Sequence, residues 1–446
     1  MDRIELARAK RLKGKFSPPP DKSISHRAVI FSSLSQGQSV IRNFLRAEDT
    51  ISTVNAMKML GIEIQENVIP PFPPLEKGGK GGFSGELVIN GKGLYGLKEP
   101  YNVIDCGNSG TTIRMLSGVL SGNSFLSVLT GDDSLRMRPM GRVIIPLTQM
   151  GAKILARGEN KFPPVVVKGG SLKPIKYMMP VASAQVKSAI LLAGLCAEGE
   201  TEITEPFKSR DHTERMLSAF GAEIKVEGLK VSVRGVAELK GTEVQVPGDF
   251  SSAAFFIVGA SLIENSDLDV KEVGINPTRT GLIEALREMG AQIEIVNVKV
   301  ISGEPVADIR CTGTKELRAV TIEREKVPAL IDEFPILCVA ATQAEGITRI
   351  RGAQELRVKE SDRIKAMTLE LRKMGAEIEE FEDGLSIKGK TRLRGAALNS
   401  YGDHRIAMAL SIAALIAEGQ TFIESVDSVD VSFPGFFEIL RKLTEQ

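Results

Sequence analysis

One pattern recurs six times along the chain and constrains its fold more than any other feature: a helical apolar stretch, a short break, then a strand of alternating character. The copies are RAVIFSSLSQGQSVIRN from Arg27, TIRMLSGVLSGNSFLSVL from Thr112, SAILLAGLCAEGETEITE from Ser188, AAFFIVGASLIENSDLDVKE from Ala253, PILCVAATQAEGITRIRG from Pro335 and RIAMALSIAALIAEGQTFIES from Arg405. Five breaks carry glycine and the fourth carries Glu264-Asn265; the break positions Gly37, Gly122, Gly199, Asn265, Gly346 and Gly419 lie 66 to 85 residues apart. That spacing holds one supersecondary module, which cannot bury its apolar face alone and must pack against its neighbours.

A second motif interleaves with the first: KMLGIEI, TQMGAKI, SAFGAEIKV, REMGAQIEI and RKMGAEIEE, with glycines at 61, 151, 221, 290 and 375. Each is predicted to end an amphipathic helix on a glycine cap and to pass into a strand with one exposed face. The C-terminal PGFFEILRKL is the sixth helix of this kind. The pattern predicts an α/β chain of six units, three per domain. No GxGxxG opens a helix after a strand, which argues against a doubly wound nucleotide fold. Stiff SPPPD and the turn in VQVPGD mark two crossings, giving a first domain over 20–245 and a second over 1–19 plus 246–446. A Pro/Gly-rich stretch at about 67–85 reads as an inserted loop; its GGKGG lacks the following Ser or Thr of a phosphate loop.

With 446 residues the chain has room for such domains, and Lys+Arg 57 against Asp+Glu 56 removes the basic footprint of a general nucleic-acid binder. Any anion site must therefore be local. Four scattered cysteines and three histidines offer no structural zinc spacing and suit reduced thiols in a cytoplasmic protein. The basic N-terminus has no apolar targeting core, and the longest apolar run, Ala407 to Ala417, is too short to cross a bilayer. The expectation is a cytoplasmic protein with neither membrane nor nucleic-acid partner.

Polar groups cluster where the repeat helices begin. PPPDKSISHR brings Lys22, Ser23 and Arg27 to a helix entry, where free N–H groups favour an anion. DCGNSGTTIRM places Asn108 and Gly110 before the second helix, and GDDSLRMRPMG supplies Arg136 and Arg138. Ser183 and Gln185 open the third helix, and Ser209, Arg210 and His212 follow in KSRDHTERM. In ELRVKESDRIKAM, Lys359 and Arg363 are expected four apart on one helical face with Glu360 beside them. Asp332 precedes another apolar helix, where helix capping is an equally good explanation, and YGDHRIAMAL offers Arg405 as an anion ligand with His404 structural. Taken singly, each group also fits a capped helix or a solvated face. Five of six repeat-helix entries equipped this way, drawn from both halves, suggest a cleft between two domains that takes a substrate with several negative charges.

The segments PPDKSISHRA, GNSGTTIR, SAQVKSA, KSRDHTERML, PGDFSSAAFF, NPTRTG, ELRVKESDR and GDHRIAMA, in this order, resemble the 5-enolpyruvylshikimate-3-phosphate synthase family. The resemblance implies an inside-out α/β barrel of six βαβαββ-type units in two domains, the enolpyruvyl transferase fold. It implies a monomer that needs no cofactor or metal and moves an enolpyruvyl group from phosphoenolpyruvate to the 5-hydroxyl of shikimate 3-phosphate. Lys22, Ser23, Arg27, Ser183, Gln185, Ser209, Arg210, Asp332 and Lys359 would hold shikimate 3-phosphate. Lys22, Asn108, Gly110, Arg138, Gln185, Glu360, Arg363 and Arg405 would surround phosphoenolpyruvate, at the site the inhibitor glyphosate takes in this family. Asp332, Glu360 and Lys22 would be catalytic. The chain departs from many relatives at Ala184 and Glu355 and from some at His212 and Val431. UDP-N-acetylglucosamine enolpyruvyl transferases share the fold, but their loop cysteine is missing, since Cys106 precedes GNSGT. A non-catalytic anion-binding protein would not need Asp332 and Glu360.

Overall fold

The six apolar repeat segments form helices buried around nearly their whole circumference, because a helix apolar on every side is stable only inside a shell of other elements. The computed structural model describes residues 2–68, 84–236 and 238–445, and these divide into two compact units.

The first unit comprises Pro20–Val246 and Ile301–Glu304. Its buried helices are α1 (Lys22–Leu34), α3 (Gly110–Ser121) and α5 (Ala184–Gly194), and its outer amphipathic helices are α2 (Glu48–Met59), α4 (Gly141–Gln149) and α6 (His212–Ala219). One sheet joins β3 (Gln36–Leu45), β4 (Glu63–Val68), β5 (Ser84–Lys92) and β14 (Glu243–Gln245) in the order β14-β3-β5-β4. The second runs β6-β7-β9-β8, from Ile104–Asp105, Leu126–Thr130, Phe162–Lys168 and Lys153–Ala156. The third runs β10-β11-β13-β12, from Lys176–Met178, Glu200–Thr204, Lys230–Arg234 and Ile224–Glu227. In all three the first pair is parallel and the other two are antiparallel. The helices inside can approach closely: at Gly118 a Cβ would lie 2.2 Å from the Ala189 carbonyl oxygen, so only glycine lets α3 seat against α5.

The second unit comprises Met1–Pro19, Pro247–Val300 and Pro305–Gln446. Inside are α7 (Phe250–Leu262), α9 (Phe334–Gln343) and α11 (His404–Ile416); outside are α8 (Gly281–Glu288), α10 (Arg363–Lys373) and α12 (Phe436–Thr444). Its first sheet, β16-β17-β15-β2, uses Gln292–Ile301, Glu304–Thr312, Asp267–Gly274 and Lys13–Phe16. Its second, β18-β20-β22-β21, uses Leu317–Arg318, Ala344–Ile350, Gly384–Gly389 and Glu377–Phe381, with β19 (Thr321–Ile322) also beside β20. The third, β1-β24-β23, has three strands among the described residues: Arg3–Ala7, Gln420–Glu424 and Ala397–Asn399.

A parallel strand-helix-strand crossover explains how the chain divides. β6 leads into α3 and pairs with β7, as β10 leads into α5 and pairs with β11. At the two crossings the partners are exchanged: β2 leads into α1 but pairs with β15, and β14 leads into α7 but pairs with β3. The inserted loop is shorter than 67–85, since Asn67 pairs with Glu86 and Val68 with Gly85 on the β4–β5 ladder; residues 69–83 lie outside the described residues. No described helix is long and apolar enough to cross a membrane.

Candidate active site

In the first unit the starts of α1, α3 and α5 are tied together by polar side chains. Asp21 caps α1 by accepting the Ile24 N–H at 2.8 Å, and Lys22 pairs with Asp49 of α2 at 3.1 Å. Arg27, 2 % exposed, donates to Thr213 at 2.7 Å, Ser188 at 2.9 Å and the Ser23 carbonyl at 2.9 Å. No described carboxylate lies within ion-pair distance of it, and burial lowers its pKa to about 10 against the pull of Glu214. A buried guanidinium held by two hydroxyls and a carbonyl has the charge and the donors that an anion requires.

Around Gly110, the first residue of α3, two more guanidiniums gather. Arg138, 7 % exposed, donates to Asn108 at 2.6 Å, and Asn108 donates to Asp132 at 2.7 Å. Arg114 donates to Gln185, whose amide donates to Thr111 at 2.9 Å. Ser109 caps the helix through the Thr112 N–H at 3.1 Å. Helix start, Arg114 and Arg138 together offer the charge and the N–H donors that a phosphate or carboxylate requires. Arg136, by contrast, is engaged by the Gly131 carbonyl at 2.7 Å and by Asp133.

Ser183 caps α5, with the Val186 N–H at 3.4 Å from its hydroxyl, and Ala184 is already helical. Ser209 and Arg210 lie on the loop before α6, and that loop is pinned from below. Lys187, 1 % exposed, pairs with Glu205 at 2.9 Å and Glu214 at 2.6 Å, while Glu205 accepts the Ser209 N–H at 3.3 Å and its hydroxyl. Burial raises the pKa of Glu214 against the opposing effect of Lys187.

The second unit gathers carboxylates around a single arginine. Arg363 is 1 % exposed and bonds Asp403 at 2.8 and 3.2 Å, Glu360 at 2.7 Å and Asp332 at 3.4 Å. Arg405 approaches the same Asp332, with 3.2 Å to its carbonyl and 3.6 Å to its carboxylate. Asp403 caps α11 through the Arg405 N–H at 2.9 Å. Burial would raise the pKa of Asp403, but Arg363 outweighs it and holds the carboxyl below its ordinary value; Asp403, Glu360 and Asp332 raise Arg363 in turn, against burial.

Two expectations change here. Lys359 and Arg363 do not share a helical face: Asp362 accepts the Lys365 N–H at 3.0 Å and starts α10 at Arg363, leaving Lys359 in extended backbone after a 3-10 turn over Gln354–Val358. Nor does Asp332 cap α9, since the residue in the capping position is Glu333. PGDFSSAAFF and NPTRTG, which the sequence leaves without a role, form the scaffold beside it. Asp249 caps α7, Arg279 donates to Ser251 at 2.7 Å, and Ser251 donates to Glu333.

The family model for EPSP synthase (3-phosphoshikimate 1-carboxyvinyltransferase) matches residues 6–440, nearly the whole chain. The chain belongs to the EPSP synthase family. It is 58 % identical to the 3-phosphoshikimate 1-carboxyvinyltransferase of Thermodesulfovibrio yellowstonii over 444 residues, covering 99 % of this chain and 100 % of the relative. It is 51 % identical to that of Desulforamulus reducens, with 97 % of each chain covered. The solved EPSP synthase of Acinetobacter baumannii superposes with a TM-score of 0.85 at 46 % identity, over 99 % of this chain and 98 % of that one. The fold is the two-domain inside-out barrel of EPSP synthases, with helices within and sheets without.

Arg114, Asp49, Lys187, Glu205 and Asp403 contact the candidate residues, and sequence reasoning gave them no role. Arg114 and Lys187 stand inside recognised motifs, at GNSGTTIR and SAQVKSA. A cation at the second turn of an otherwise apolar helix was the available signal, because burying one demands a partner.

Proposed function

We propose that this EPSP synthase family member catalyses transfer of the enolpyruvyl group of phosphoenolpyruvate to the 5-hydroxyl of shikimate 3-phosphate, releasing phosphate. The observation that carries the reading is Asp332, a carboxylate set between Arg363 at 3.4 Å and Arg405 at 3.6 Å. A base beside anion-binding cations is what attack by a hydroxyl on a phosphorylated enol requires.

Shikimate 3-phosphate is held by Lys22, Ser23, Arg27, Ser183, Gln185, Ser209, Arg210 and Lys359, with Asp332 at the 5-hydroxyl. Phosphoenolpyruvate meets Lys22, Asn108, Gly110, Arg138, Gln185, Glu360, Arg363 and Arg405. In the addition step Asp332 takes the hydroxyl proton as the oxygen bonds to C2, and Glu360 delivers a proton to the methylene carbon. In the elimination step the C2–O bond to phosphate breaks, the methyl group returns a proton to Glu360 as the double bond re-forms, and the proton held by Asp332 leaves with the phosphate. Lys22 steadies the charge on both substrates. The enzyme works as a cytoplasmic monomer on two small molecules without a cofactor. Its four cysteines are free, and burial raises their thiol pKa values, which suits a reducing compartment.

Purified protein given both substrates should release phosphate, and replacing shikimate 3-phosphate with UDP-N-acetylglucosamine should abolish release. Asp332→Asn should keep its circular dichroism spectrum and lose about 10²-fold or more in kcat. No phosphate release by the wild type, or an unchanged kcat in the variant, would reject the reading.

A further inference from the structure

Among the described residues the sixth sheet has three strands, where four of the others have four and one has five. In those, the strand that follows the outer helix (β4, β8, β12, β16 or β21) lies at the far edge beside its hairpin partner. In the sixth, β1 takes the partner's place, antiparallel to β24 as β22 is to β20, and no described strand lies beyond it. Helices α2, α4, α6 and α10 pack on the strand that follows them, whereas α12 packs on β2.

The place of the missing strand is a groove of about 800 Å³, walled on one side by the continuous run Ile4 to Arg11 and on the other by α12, with Phe437, Leu440 and Arg441. Hydrogen-bonding capacity faces it. The Ser425 N–H donates to the Asp2 carbonyl at 2.7 Å, and with Arg3 opposite Glu424, ladder alternation turns the N–H and C=O of Arg3, Glu5 and Ala7 away from β24. Exposed Arg8, Lys10, Arg11 and Arg441 outnumber Glu5 and Glu445 along the lining, and Leu6, Leu415, Phe437 and Leu440 give it an apolar floor.

We propose that this edge is a docking site for an extended acidic segment of a partner protein, which adds to β1 as an antiparallel fourth strand. Backbone bonds to Arg3, Glu5 and Ala7 supply the ladder, alternate apolar side chains fill the floor, and acidic ones meet the basic rim. The chain carries its own template: β21, in the equivalent place, reads EIEEF, with Ile378 buried between exposed Glu377 and Glu379. A second copy pairing through β1 would bring two basic runs together, so charge favours an acidic partner over self-association.

The test titrates the full-length protein with a fluorescent peptide of residues 375–383, GAEIEEFED. Saturable binding is expected, with slowed amide exchange at Arg3, Glu5 and Ala7. Glu5→Pro removes one outward N–H without touching the ladder to β24, and Arg441→Glu reverses one rim charge. Each should weaken binding about ten-fold with phosphate release unchanged, as should exchanging the peptide's acidic residues for lysine. Absence of saturable binding, equal affinity for both variants, or dimerisation through β1 in sedimentation would overturn the proposal.

Discussion

A methyl group on Gly110 would lie 3.3 Å from Arg114 Nη1 and 3.4 Å from Arg138 Nη1. Its backbone is not in the left-handed region, unlike that of Gly107, so alanine would bring no φ strain and would favour the helix. Gly110→Ala should therefore hold or slightly raise the melting temperature, displace the two guanidiniums and raise the KM for phosphoenolpyruvate several-fold, leaving that for shikimate 3-phosphate unchanged. Equal losses for both substrates with a lower melting temperature would show that Gly110 serves the turn instead. His26 makes a second residue-scale case. It is buried, its Nδ1 lies 2.7 Å from Thr53, and burial followed by Lys22 and Arg27 lowers its pKa well below the usual 6.5. The unfolded chain thus binds a proton that the folded one refuses. Stability from this residue is complete above the unfolded value and falls as pH drops below it, by up to about 1.4 kcal/mol per pH unit. Between pH 7 and 5 the wild type should lose more thermal stability than His26→Gln; parallel melting curves for the two would assign the acid loss to other groups.

At the scale of elements, five of the six outer helices end alike. After α2, Gly61 donates to Lys58 at 3.0 Å and Ile62 donates to Met57 at 3.1 Å; after α10, Gly375 and Ala376 make the same two bonds to Arg372 and Leu371. At Gly61 and Gly375 φ is 89° and 99°, a conformation that glycine adopts without penalty, which is why a short glycine motif announced these helix ends in the sequence. The start of α10 was not legible in this way. Periodicity carried the helix back through Lys359, whereas the Asp362 cap and the Arg357–Asp362 pair at 2.8 Å stop it short. The β4–β5 arm gives the prediction at this scale. The two strands are antiparallel neighbours up to Val68 and Gly85, so a short Gly-Ser turn in place of residues 69–83 can close them. Turnover should stay within a few-fold; a folded variant whose kcat collapses would show that the segment takes part in the reaction.

Across the whole molecule, each unit has its own hydrophobic core. In the second, Phe256 joins distant parts of the chain: its ring centroid is 4.6 Å from Phe16 of β2, 6.0 Å from Phe433 and 5.3 Å from Phe436 of α12. Removing it should cost about 3–5 kcal/mol. Because the cores are separate, Phe256→Ala should lower hydrogen-exchange protection in the second unit, including β2, and leave amides of α1, α3 and α5 as they were. A uniform loss in both units would mean that they unfold as one body.

Helix by helix, the chain could be read without its structure, because apolar periodicity, cap residues and glycine breaks act over a few residues and are written locally. The family motifs also named the groups at most helix starts. Exact strand partners were beyond such a reading: the two crossings sent residues 1–19 to the second domain, but nothing near Lys13 indicates that β2 will lie beside β15 in particular. The same limit applies inside the site. Sequence placed Arg27 at a helix entry, but only tertiary packing surrounded it with Ser188 and Thr213 and left it with no described carboxylate at ion-pair distance. It also decided that Asp332 faces Arg363 and Arg405 instead of its own helix. Desolvation and ion pairing depend on what surrounds a group in space, and most of those neighbours are remote in the chain.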